Sequence, residues 1–165
     1  MNFFLNKNGT VEFQGIDLFL ETLLLDSFQP KRSEELFAKK DIFQKISQNS
    51  DETSSDWEKY SKPELLSLFG KCHKLVLLDL DKMSRQRSHP EAEVTLKIPS
   101  AHRDAWLRII SMARLTLAAK VDFISRLERS KNSIVEEKKL PELLFQQDFL
   151  ALLLKCLIEA EDATH

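Results

Sequence analysis

Ile98-Pro99-Ser100-Ala101-His102-Arg103-Asp104-Ala105-Trp106-Leu107-Arg108-Ile109-Ile110-Ser111-Met112-Ala113-Arg114-Leu115-Thr116-Leu117-Ala118-Ala119-Lys120 is the stretch whose reading decides the fold. It leaves a strand at Ile98-Pro99, offers Ser100 as a helix cap and continues as an amphipathic run. Trp106, Ile109, Ile110, Ala113 and Leu117 recur at i, i+3, i+4, i+7 and i+11, which is one helical face. Val121, Ile124 and Leu127 prolong that face, with Asp122 as an alternative end.

Just upstream, Glu93 to Ile98 alternates strictly between polar and apolar residues, so it reads as a half-buried strand. Its natural partner lies at the start of the chain. Phe3 to Phe13 reads as a β-hairpin about Asn8-Gly9, because those residue types tolerate positive φ. A lone hairpin is marginal in water. The expectation is a small antiparallel sheet, made of the hairpin at 2–14 and the strand near 93–98, with the pairing order open.

The remaining segments read as helices. Ile16 to Phe28, with Asp17 as cap, shows a face of Leu20, Leu23, Leu24 and Phe28 and is expected to be deeply packed. Pro30 stops it. Residues 33–46 read as one or two short helices. Ser55-x-x-Glu58 and Ser61-x-x-Glu64 are two capping boxes, so a short helix at Asp56–Tyr60 should turn into a long one from Lys62 to about Arg85. Ser130 to Lys139 is a charged connector, in which Ser133 to Glu136 offers a cap for one turn. Glu142 to Ala160 is the last helix, apolar on nearly every side from Phe149 to Ile158 and therefore expected to be the most buried. The tail 161–165 should fray. The predicted architecture is a mainly α, irregular or orthogonal bundle of about five or six helices with the small sheet, in a single domain over 1–165.

Composition narrows the function classes. At 165 residues a chain can bury about 70% of its unfolded surface, so no metal or disulfide is needed to hold a core. A net charge of -2 argues against wholesale binding to nucleic acid or an anionic membrane. Glycine occurs at positions 9, 15 and 70, too sparsely for a phosphate-cradling loop, and Gly70-Lys71 lacks the rest of a P-loop. Cys72 and Cys156 each sit in an apolar pattern and read as reduced core thiols, which suits a cytoplasmic setting. No secretory leader is read at the N-terminus, and the longest apolar run is too short to span a bilayer.

Val94 to Phe123 resembles the signature of a bacterial family, the domain-of-unknown-function 2017 family. There a strand and a proline lead into a helix reading roughly W-L-R-x-L-N-D-x-R-L-x-L-G-x-R. Trp106, Leu107, Arg108, Ile110, Arg114, Leu115 and Leu117 stand on matching positions. Ser111 and Met112 stand where the pattern has Asn and Asp, Ala118 where it has Gly, and Lys120 where it has Arg. The resemblance implies a mainly helical domain and no known activity. Members are often encoded beside a bacterial protease adaptor, which points to protein quality control.

Candidate chemistry is sparse. Arg114 has Ile110, Ser111, Leu117 and Ala118 as its helical neighbours, so its guanidinium should be partly buried and need a carboxylate. Asp79 is the first candidate partner and Glu159 the second. A structural ion pair is the plainer reading, and an anion- or partner-contacting arginine the functional one. Ser100, His102 and Arg103 stand at a helix start, where free N–H groups favour anions. Ordinary solvated first-turn residues are the plainer reading there too. His73, His89, His102 and His165 lie in separate elements without metal-ligand spacing. No nucleophile elbow occurs. The Lys82, Arg85 and Arg87 cluster lacks the interleaved aromatics of a nucleic-acid surface.

The sequence therefore predicts a non-enzymatic, cytoplasmic protein-interaction or regulatory domain with no cofactor, metal, nucleic-acid or membrane partner. Trp57 and Tyr60 are candidate partner-surface residues, and a homodimer is compatible with them. The alternative is a small anionic-ligand or enzymatic site around Arg114 and the His102–Asp104 helix start.

Overall fold

The computed structural model of the chain describes residues 1–28, 59–60, 62–129 and 140–162. β1 (Asn2–Leu5) and β2 (Val11–Ile16) form the hairpin. Its turn is closed by Gly9 N–H donating to the Asn6 carbonyl at 2.9 Å and Asn6 N–H donating to the Thr10 carbonyl at 2.9 Å. Gly9 takes φ 76°, and the Asn8 side chain accepts the Thr10 N–H at 3.0 Å. The loop thus ends in a left-handed residue that glycine occupies without steric cost.

β3 (Val94–Ile98) completes the sheet in the order β1-β2-β3, antiparallel throughout. The register shifts between Phe13 and Ile16, where Gly15 stands at φ 74°, a glycine bulge that bends the strand. β2 consequently runs to Ile16, beyond the expected end of the hairpin. One face of the sheet carries Val11, Phe13, Ile16, Val94, Leu96 and Ile98, all buried.

The helices cover that face. α1 (Leu18–Phe28) is capped by Asp17, whose Oδ1 accepts the Leu20 N–H at 2.8 Å. α2 (Lys62–Ser84) packs against α1, β3 and α3 (Arg103–Arg129), and α3 against α4 (Leu140–Asp162). A 3-10 turn, Ser100–His102, leads into α3. Trp106, Ile110, Leu80, Met83, Leu150 and Leu153 fill the core from three of these helices.

The chain is mainly helical with a small three-stranded antiparallel sheet, as expected. Among the described residues there are four α-helices rather than five or six. The short helices expected at 33–46 and from Asp56, and the cap at Ser133, fall largely or wholly outside the described residues. α3 does not stop at Asp122 and runs unbroken to Arg129. α4 continues through Glu161 and Asp162, where a frayed tail was expected.

Two expectations about burial are corrected. α4 is not buried all round: Leu144, Phe145, Leu152 and Ile158 are 44%, 47%, 48% and 47% exposed. On α1, Leu18 and Phe19 likewise face outward. The expectation of burial on nearly every side of 149–158 had included Leu152 and Ile158. Packing needs one helical stripe per neighbour, and α4 spends Phe149, Leu150, Leu153 and Leu157 on it. No helix among the described residues is long and apolar enough to cross a membrane.

Candidate functional site

The buried polar side chains of the described residues, Glu21, Ser27, Asp79, Arg103 and Gln146, stand at separate junctions between elements. Asp79, on the inner stripe of α2, is 2% exposed. Its Oδ2 accepts from His102 Nδ1 at 2.8 Å and from Trp106 Nε1 at 3.0 Å. His102 and Trp106 are four residues apart, so the 3-10 turn and the first turn of α3 present both donors on one side. Lys82 Nζ approaches Asp79 Oδ1 at 3.8 Å, but that oxygen makes no hydrogen bond. A carboxylate fixing an imidazole through Nδ1 is the arrangement that orients a histidine for proton transfer. Here the same oxygen also holds a core tryptophan, which ties the arrangement to packing.

Arg103 is the second buried group, 7% exposed at the start of α3. Its Nη2 donates to the Gly9 carbonyl at 2.6 Å and its Nη1 to the Ala160 carbonyl at 3.3 Å. The guanidinium therefore joins the hairpin tip to the last turns of α4. Beside it lies an open cleft of ≈ 460 Å³ lined by Lys7, Asn8, Gly9, Ser100, Arg103, Asp104 and Glu161. Two carboxylates in that lining offset the cations.

The third is Glu21 of α1, 5% exposed, which accepts from Arg87 Nε. Arg87 also donates to the Ala92 and Pro90 carbonyls, the latter at 3.1 Å, and to Ile16 at 3.4 Å. This arginine, counted above in a basic cluster, is committed to the loop that leads into β3.

The expected site residues separate. Arg114 pairs with neither expected carboxylate. Asp79 is engaged by Trp106, which lies eight residues before Arg114, roughly 12 Å along the helix axis. Glu159 is exposed on α4 and pairs with Lys155 at 3.7 Å. Arg114 is half-buried, and its Nε makes no hydrogen bond. Ser100 does not cap α3; it opens the 3-10 turn, which has no side-chain cap bond. Of the first-turn trio, His102 and Arg103 are internal struts, not solvated residues. Asp104 is exposed, and its hydrogen bond to Arg108 at 2.8 Å raises that guanidinium above its ordinary pKa. Trp57 lies outside the described residues. Tyr60 is 58% exposed, with Lys59 Nζ 5.0 Å from its ring centre.

Nucleophilic or metal chemistry gains little from the described residues. Burial pushes the Cys72 and Cys156 thiols above their ordinary value, away from the thiolate that nucleophilic chemistry needs. Among the described residues no three His, Cys, Asp or Glu side chains gather as metal ligands.

The outer surface carries a feature that composition concealed. Phe19 of α1 and Phe145 of α4, 57% and 47% exposed, lie against each other with ring centres 5.6 Å apart and planes at 49°. One residue on, Gln146 is buried and donates to Ser27 Oγ at 2.6 Å, which fixes α4 on α1. The aromatic pair is held in place by a buried polar contact and still faces water. A signal for it was present in the sequence: α1 and α4 carry more apolar residues than one stripe can use.

The family model described as Domain of unknown function (DUF2017) matches residues 17–161. No curated protein matches the chain. No solved structure matches it.

Proposed function

The chain belongs to the family of the Domain of unknown function (DUF2017), and on that premise we propose that it acts without catalysis, by binding protein through the outer faces of α1 and α4. The Phe19–Phe145 pair carries this reading. Two aromatic rings fixed side by side in water lose about 25 cal/mol for each Å² a partner covers, and contiguous apolar patches on soluble domains mark contact sites. Tyr60 and its neighbouring Lys59 add a further exposed aromatic. Free thiols at Cys72 and Cys156 support a reducing, cytoplasmic setting, and a place in bacterial protein quality control fits the family resemblance.

The anionic-ligand or enzymatic alternative at Arg114 and the helix start has less support. Arg103 is engaged by backbone carbonyls, and Asp104 and Glu161 line the neighbouring cleft. The test is photo-crosslinking in cells that make the protein, with the reactive residue at position 145 and a control at exposed Arg85. Protein adducts from 145 and not from 85 are expected. Adducts at neither position, or equally at both, overturn the reading.

A further inference from the structure

We infer that the outer face of α4 pairs with the same face of a second copy of this chain. This rests on the binding face proposed above and names its occupant. The stripe Leu144, Asp148, Leu152, Lys155 and Glu159 steps by four, four, three and four residues, a spacing that keeps them on one side of a helix. All five are exposed. Phe145 and Ile158 flank the stripe, each 47% exposed.

The order of charges on this stripe selects the partner. Lay two copies antiparallel about a twofold axis passing between Ala151 and Leu152. Asp148 then faces Lys155 of the second copy, and Lys155 faces its Asp148. The two Leu152 side chains flank the axis, while Phe145 and Ile158 border the seam on its opposite edges. A twofold interface requires a surface complementary to itself, and Asp148 and Lys155 carry opposite charges at equal distances from this axis, while Glu159 falls opposite uncharged Leu144. A parallel arrangement would set Asp148 on Asp148 and Lys155 on Lys155, and like charges suppress it. The existing Lys155–Glu159 contact, 3.7 Å between side chains 71% and 57% exposed, is a weak surface pair that Lys155 can exchange. One helix face is smaller than the roughly 800 Å² per partner of a standard stable interface, so the dimer depends on concentration.

Sedimentation velocity on the full chain, from about 1 to 500 µM, tests this. The mass should rise from monomer toward dimer across that range. D148K replaces two attractive pairs with two repulsive ones and should weaken the dimer by about tenfold or more. The exchange D148K/K155D should restore it. Both positions are exposed, and melting curves verify that each variant keeps the fold. A monomer at every concentration overturns the second copy. D148K dimerising like the parent, or an exchange variant that does not recover, overturns the register. A monomeric chain that still crosslinks other proteins from position 145 removes the second copy and leaves the binding face standing; no dimer and no adducts removes both.

Discussion

Asp79 concentrates the residue-scale chemistry of the fold. One oxygen of a carboxylate 2% exposed satisfies an imidazole and an indole N–H. Asp79→Ala leaves Trp106 Nε1 and His102 Nδ1 without that acceptor and opens a small cavity, so urea unfolding should show a loss of about 2–4 kcal/mol. A loss under about 0.5 kcal/mol would show that the cluster adds nothing to stability. The sequence announced half of this. Asp79 stands inside an apolar stripe, which marks it as buried and in need of a donor, and His102 and Trp106 share a face. What periodicity lacks is the relative height of two packed helices. Arg114 and Trp106 lie on the same helix, and only packing decides which of them reaches Asp79. Arg103 was harder still, because its acceptors are backbone carbonyls far away in the chain.

Elements are bound to one another by small groups at their ends. The hairpin tip rests on the turn before α3, and a Cβ at Gly9 would lie 3.2 Å from Ser100 Cβ with φ held at +76°. Gly9→Ala should therefore cost about 1–2 kcal/mol and lower the melting temperature, whereas Gly70→Ala, with open space around it, should not. On the outer face of the sheet, Glu12 accepts from Gln14 at 3.1 Å and Asn6 at 3.0 Å and pairs with Lys97 of β3 at 3.3 Å. The Gln14 amide above all, with help from Asn6 and Lys97, holds its carboxyl below the ordinary value. A lowered folded pKa adds stability above the unfolded value, about 4.3, and that stability is lost as pH falls through the folded one. The melting temperature of the parent should exceed that of Glu12→Gln near neutral pH, and the gap should close between about pH 5 and 3. A gap that stays constant with pH would exclude an ionised Glu12 as its source. The sheet and the long helices were legible because period 2 and period 3.6 are local signals. The apolar surplus of α1 and α4 was visible too, but not which of those residues face outward, because composition reports how many apolar side chains a helix has and not how many its neighbours can cover.

For the whole molecule, the family match and the folded unit have different edges. The match begins at residue 17, yet β3, inside it, pairs with β2, outside it. A fragment of residues 17–161 would strip neighbours from Val94, Leu96 and Ile98, which are at most 2% exposed in the intact fold. It should bind hydrophobic dyes and lose amide dispersion in heteronuclear NMR spectra, while residues 1–162 keep both native signatures. A well-dispersed fragment would show that the hairpin is dispensable. Arg103 adds a consequence in time. Its guanidinium reaches carbonyls 94 residues back, at Gly9, and 57 residues ahead, at Ala160. At roughly 5–20 residues per second of synthesis, on the order of ten seconds separates the hairpin from the segment that clamps it. For the first half of that interval Phe13 and Val11 lack the third strand, which can pair with them only after residues 94–98 are made. Native structure in this protein is therefore assembled late, and the nascent hairpin is the part most in need of shelter beside the ribosome.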